Sequence, residues 1–205
     1  MAPAWFQQAH EVTHLIYCRS KRLNYFAQES NNMEVSAELM KSHTLDWVET
    51  QMRASALIGG ILSIVHPELY SIGIASLKAI GASESISKGD RLPEVLQIWG
   101  SPFTAITTIS NRDTPYHRDN GSAHPWFDIL MALGSYQNGR IEFPGLGMRF
   151  KYDPGTAVAL TGRVLQHGAI CSGDRACIAY HMKENVVEAL GIEKVSWVQS
   201  SVYSS

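Results

Sequence analysis

The chain has 205 residues, 45% of them hydrophobic and 18% charged, which excludes a disordered segment and fits one domain of ordinary size. Lys and Arg number 17 against 19 Asp and Glu, a formal charge of -2, so no global positive field draws in nucleic acid and phosphate contacts need a local patch. The three cysteines, Cys18, Cys171 and Cys177, form no CxxC pair, which argues against a disulfide scaffold and suits a reducing compartment.

The opening MAPAWFQQAHEV lacks the basic start and apolar run of a secretory signal. It leads into HEVTH at 10–14, a match to the zinc-protease signature HExxH, which chance alone would supply only about 0.02 times. Little chain precedes His10, and a third ligand would have to come from Glu29 or Glu34 in polar text. The plainer expectation is an amphipathic segment with His10 and His14 one turn apart. From about Ser36 to Ile80 the text is helical, with Leu45, Val48, Met52 and Ala56 at helix-like intervals. The apolar run Ala54 to Val65 is about half the length that crosses a bilayer, so it reads as a buried helix of a soluble, intracellular protein. Pro67 suits the first turn of a second helix through Tyr70, Ile74 and Leu77, with Gly81 as a stop. SESISKGDRLPE is polar and reads as a connector.

From about Val95 onward short β-rich runs alternate with turn text. The runs are FTAITTIS (103–110), WFDILMAL (126–133), RIEF (140–143), MRFKY (148–152), TAVALT (156–161), VLQHGA (164–169) and RACIAYHM (175–182). NRDTP, SYQNG, PGLG, DPG, TGR and CSGD between them read as turns, and the pattern favours a sandwich, jelly roll or barrel. The tail from about Ala189 carries little signal.

His117 and Asp119 form an HxD pair, and residues two apart on an extended backbone point to the same side. With 8 His in the chain, chance supplies about 0.3 such pairs, so the pair alone reads better as a surface loop. His167, on a later strand, adds a second imidazole. Two imidazoles and one carboxylate on a β-scaffold match the facial triad of non-haem Fe(II) oxygenases, which leaves one face of the metal open. A structural zinc site would need a fourth ligand, for which Cys171 is the nearby candidate. Arg175 supplies a fixed, always-charged fork for a carboxylate, the plain alternative being a strand-start arginine paired with Asp174 or solvent.

These residues carry a family resemblance. The stretch from Tyr116 to Met182 resembles the double-stranded β-helix core of the Fe(II)/2-oxoglutarate-dependent dioxygenases, through HRD (117–119), NGRIEFPG (138–145), PGTAVAL (154–160), QHG (166–168) and DRACIAY (174–180). The HRD text and the upstream HPELYSIGIASLKAIG resemble the Tet/J-binding-protein branch, its fungal members encoded near transposons most of all. The resemblance implies an α+β fold, with a double-stranded β-helix (jelly-roll) core and N-terminal supporting helices. It implies one catalytic domain over 1–205: about 1–95 mainly helical support, about 96–185 the core, and 186–205 a C-terminal tail. His117, Asp119 and His167 would ligate Fe(II), and Arg175 would pair with the distal carboxylate of 2-oxoglutarate, with O2 as the other cosubstrate. Where the family often has Ser two residues after that Arg, this chain has Cys177, a weaker hydrogen-bonding group.

The same branch implies oxidation of the methyl group of 5-methylcytosine, or a related methylated base, in DNA, with an intracellular location that includes the nucleus. The partner is DNA carrying that base; no membrane and no obligate protein partner is expected. Alternation puts Arg175, Cys177, Ala179 and His181 on one face, so His181 is the first residue expected at the base, joined by Asn120, Tyr116 and Trp126. Tyr180 is a further aromatic that could stack. Between Phe103 and Met182 seven basic residues face six acidic ones, with Arg149 and Lys151 on one strand face and a small cluster at Arg19, Lys21 and Arg22. That balance keeps a 2-oxoglutarate-dependent hydroxylase of a small molecule or protein side chain as the alternative. An HExxH zinc protease is more remote, and a metal-free binding module is disfavoured by the complete triad.

Overall fold

The computed structural model describes residues 11–14, 16–20, 31–41, 43–83, 91–110 and 114–203. Two compact units emerge, one built on Ile106–His181 with the N-terminal stretch through Thr13, the other on His14–Ala105 and Met182–Ser205. Among the described residues no helix is long and apolar enough to cross a membrane.

In the helical unit, the hairpin β2 (Ile16–Ser20) and β3 (Asn31–Val35) precedes α1 (Thr44–Val65), α2 (Pro67–Ala82), α3 (Leu92–Ile98) and, after the β-unit, α4 (Glu184–Ala189). The buried stripe of α1 is Val48, Ser55, Ile58, Gly59 and Leu62, so the expected stripe through Met52 and Ala56 is corrected: both face outward. Gly59 decides the difference, because a Cβ there would lie 2.8 Å from Pro102 Cδ and only a glycine face admits that approach. Helix α2 starts at Pro67 as expected, and His66 Nδ1 caps it by accepting the Leu69 N–H at 3.4 Å. The end of the expected connector is instead the first turn of α3, where Pro93 costs no helical hydrogen bond. Regular β text therefore begins only at Ala105.

The β-unit holds β4 (Ala105–Ser110), β5 (Thr114–His117), β6 (Asp128–Phe143), β7 (Met148–Lys151), β8 (Ala157–Leu160) and β9 (His167–His181), with β1 (Glu11–His14) beside β4. Glu11–His14 form a strand, so the helix that an HExxH site requires is not there; His10, Lys21, Arg22 and Glu29 lie outside the described residues. The centre of the sheet is the antiparallel pair β6–β9, in register from Ile129↔Tyr180 to Glu142↔Gly168. Strands β7 and β8 follow one another along the far edge of β6, while β4 and β5 line the far edge of β9.

The two expected turns SYQNG and CSGD are thus not turns. Both lie inside long strands, where Asn138 and Gly139 together oppose the single residue Cys171 in a β-bulge. Asn138 has φ 56° and Gly173 has φ 114°, so turn-type residues serve a bend within a strand. The bulge also inverts parity. Leu130, Ala132 and Tyr136 precede it at even positions, Ile141 and Phe143 follow at odd ones, and all join one core with Tyr152, Leu160, Ala169 and Cys177. Apolar residues on both halves of β6 thereby face the same interior. The core is the jelly-roll type of the double-stranded β-helix, and the fold class is α+β.

Candidate metal centre and cosubstrate site

His117 ends β5 directly opposite His167, the first residue of β9. Asp119 reaches them from the turn that follows, anchored by its own N–H, which donates to Gly162 O at 2.9 Å. The carboxylate lies between the rings, with His117 Nε2 3.4 Å from Oδ1 and His167 Nε2 3.6 Å from Oδ2. Among the described residues these three form the group whose ligand atoms all lie within 4.8 Å of one another; Cys171 does not join it, which removes the four-ligand zinc option.

Each imidazole is oriented the same way. His117 Nδ1–H donates to Pro115 O at 2.8 Å and His167 Nδ1–H to Leu165 O at 3.0 Å, so both Nε2 lone pairs are left to face the shared point. Burial pushes the His167 pKa down, which keeps its ring neutral. His117 is raised, chiefly by its hydrogen bond to Asp119. For Asp119 burial is the largest influence and acts upward, but the His117 hydrogen bond and the charges of His167, His117 and His181 together bring it below the ordinary value. The result is a carboxylate and two nitrogen donors, the set that suits Fe(II). Gly162 makes room for it: a Cβ there would lie 2.4 Å from Asp119 Oδ2 and 2.7 Å from Oδ2 of Asp128, whose other oxygen accepts from Ser122 Oγ at 2.6 Å.

Strand β9 places the remaining residues. His167, Arg175, Cys177 and His181 share its parity, and the buried Ala169 and Cys177 show that this face is the interior. A straight strand of 15 residues would span roughly 50 Å. The bulge opposite Cys171 and the positive φ of Gly173 bend the strand along its length. Arg175 is 4% exposed and donates from Nη2 to Thr114 Oγ1 at 2.7 Å, tying it to the strand that carries His117. Its neighbour Asp174 is exposed on the opposite face, so the reading of Arg175 as a surface ion pair falls away. Around it burial lifts the Tyr136 pKa to about 12 and raises Tyr152 and Cys177, while the Arg175 charge pulls each of them down. Both phenols and the thiol therefore stay protonated at neutral pH.

Three aromatics expected at the base are placed elsewhere. Trp126 is 1% exposed and Tyr180 0%, so both are core aromatics with no face to offer a base. Tyr116 alternates with His117 and points to the opposite face, where its ring lies over Gly168 and its hydroxyl donates to Glu142. Arg140 Nε and Arg149 Nε each bond Glu142 Oε1 at 2.8 Å, so Tyr116 belongs to a clamp that joins β5, β6 and β7 behind the metal ligands. Asn120 is exposed beside Asp119, and His181 is half-buried. Phe143 stands 6.4 Å from the His167 ring, and Phe150 lies edge-on to Phe143 at 6.0 Å, forming an apolar wall next to the ligands. Thr114, Tyr152, Gly162 and this phenylalanine pair were not singled out by any sequence pattern; Gly162 reads only as turn text.

The Tet/JBP family model, the oxygenase domain of the 2OGFeDO superfamily, matches residues 22–184. Among solved structures, NgTET1 in complex with 5mC DNA is similar in fold, with a TM-score of 0.59 at 12% identity over 97% of this chain and 68% of that one. No curated protein matches the chain. With the family match spanning most of its length and the His117–Asp119–His167 group in place, the chain belongs to the Tet/JBP oxygenase-domain family and is an Fe(II)- and 2-oxoglutarate-dependent dioxygenase that uses O2.

Proposed function

We propose that this dioxygenase oxidises the methyl group of 5-methylcytosine, or of a related methylated base, in DNA. The observation that carries the reading is the half-open metal position. His167 is 3% exposed and forms the buried floor, whereas His117 and Asp119 are each 38% exposed, so a large substrate can approach from one side only. The Tet/JBP match and the fold shared with a protein solved on 5mC DNA support a nucleic-acid base as that substrate.

In this reading His117, Asp119 and His167 hold Fe(II), and Arg175 receives the distal carboxylate of 2-oxoglutarate through its planar fork. The bound metal with 2-oxoglutarate and O2 supplies the oxidising chemistry: the cosubstrate becomes succinate and carbon dioxide, and one oxygen atom enters a substrate C–H bond. The chain's own residues orient and shield. The buried Phe143 shields one side of His167 from water, and the Pro115 and Leu165 carbonyls keep both imidazoles aimed. The methyl of a stacked cytosine lies out of reach of a recessed site, so the base must be flipped out. We assign the first contact with that base to His181, which shares the parity of Arg175 and Cys177 on β9, and a second to Asn120, exposed beside Asp119.

DNA attraction is modest. Arg140, Arg149 and Lys151 border an open groove of about 700 Å³ with Phe150, but Glu142 and Asp153 already pair with all three cations. Binding is therefore salt-sensitive, with little sequence readout. The test is to incubate the protein with Fe(II), 2-oxoglutarate, ascorbate and methylated DNA and analyse the digested nucleosides by mass spectrometry. 5-Hydroxymethylcytosine is expected. Consumption of 2-oxoglutarate with methylated DNA and RNA both untouched would overturn the base-oxidation reading in favour of a small-molecule or protein hydroxylase.

A further inference from the structure

Metal affinity depends on how firmly the ligands are held as well as on their chemistry. Strand β5 carries His117 but is four residues long. It meets β9 in register at Thr114↔Ala169 and again at His117↔His167, so Pro115 and Tyr116 together oppose the single residue Gly168 in a β-bulge. A bulge interrupts the ladder, and Pro115 has no N–H to give to it. Backbone bonds therefore hold β5 least where it presents a metal ligand.

A side chain crosses this weak point. The Tyr116 ring lies over Gly168 so closely that a Cβ there would stand 2.8 Å from its Cδ1 and 2.9 Å from Thr114 O. Its hydroxyl donates to Glu142 Oε2 on β6, the residue directly opposite Gly168. Glu142 is 7% exposed, and its other oxygen is fixed by Arg140 Nε and Arg149 Nε. Tyr116 thus straps β5 across β9 to an anchored carboxylate on β6. The two residues at the crossing, Tyr116 and Gly168, are the chain neighbours of His117 and His167. Tyr116 faces outward and is 49% exposed, so any effect it has on a bound metal passes through the two imidazoles.

We propose that Tyr116 is a positioning residue for the metal, its bond to Glu142 setting the spacing between the His117 and His167 imidazoles. The proposal rests on the assignment of His117, Asp119 and His167 as ligands and extends the site to a device on the outer face of the sheet. Tyr116→Phe keeps the ring over Gly168 and removes only the hydroxyl.

The experiment titrates the full-length chain with Mn(II) by calorimetry and reads its Co(II) complex by visible absorption, which reports ligand geometry without turnover. Tyr116→Phe should bind Mn(II) about tenfold more weakly, the lower end of what losing a group behind the ligands costs, and should shift the Co(II) bands. Glu142→Ala should lose at least as much. The double variant should lose no more than Glu142→Ala alone, because both changes remove the same bond. Ile170→Ala, exposed two positions along β9 from Gly168 and outside the strap, should behave as the wild type. Wild-type Mn(II) affinity or unshifted Co(II) bands in Tyr116→Phe overturn the proposal, even where the melting temperature falls, since that fall alone marks a brace for the fold. Additive losses in the double variant also overturn it, because the two residues would then act separately. A wild-type chain that binds neither Mn(II) nor Co(II) overturns the ligand assignment, and the proposal with it.

Discussion

Gly162 looks like the least chemical residue near the metal position, yet its replacement offers a sharp test of the site. In Gly162→Ala the new Cβ would stand 2.4 Å from Asp119 Oδ2 and 2.7 Å from Asp128 Oδ2. Ordinary contact begins at 3.4 Å, so one or both carboxylates must retreat by up to about 1 Å. Asp128 is buried and braced by Ser122, which leaves the half-exposed Asp119 to move. Its backbone is held by the bond to Gly162 O, so the side chain alone must rotate away from His117 and His167. Strain of this kind costs about 1–3 kcal/mol of stability, which in a chain of this size lowers the melting temperature by several degrees. A displaced ligand should cost more in function, about 10–100-fold in metal affinity. Calorimetry with Mn(II) and a thermal melt of the same sample separate the two effects. A Gly162→Ala protein that melts several degrees lower but binds Mn(II) with wild-type affinity would refute the claim that this glycine shapes the metal site.

Three further outcomes are expected. Arg175→Lys should raise the 2-oxoglutarate KM at least about tenfold, since an ammonium cannot reproduce the planar fork; an unchanged titration would show Arg175 to be structural. His181→Ala should lower 5-methylcytosine oxidation while 2-oxoglutarate turnover without substrate continues, and equal loss of both would remove His181 from the base pocket. Metal loading should weaken on acidification. His117 has its pKa raised above 6.5 by Asp119, so its Nε2 carries a competing proton at a higher pH than an ordinary histidine, whereas His167, lowered by burial, stays available. Mn(II) affinity should already fall as pH drops from about 8 towards 6, and a flat profile over that range would contradict the assignment.

Much of the site was legible as pattern. Period-2 alternation identifies HxD as a pair that shares a side, and the same parity carries from Arg175 to Cys177 and His181 along β9. The helix opened by Pro67 and the strands around 105–110, 148–151 and 157–160 follow from local propensity and flanking turn residues. What local reading could not decide lies between residues far apart in the chain. Asn138 and Gly173 are turn residues by any local measure, and only the pairing of β6 with β9 makes them bends within two long strands. HxD itself meets its metal position through a turn tied to Gly162, more than forty residues away, and not on a continuous strand. Tyr116 and Trp126 are chemically suited to stack a base, but their surroundings give one to a clamp on Glu142 and the other to the core. Alternation and propensity are properties of neighbouring residues; curvature, burial and the meeting of His117, Asp119 and His167 depend on long-range packing, which only the folded chain supplies.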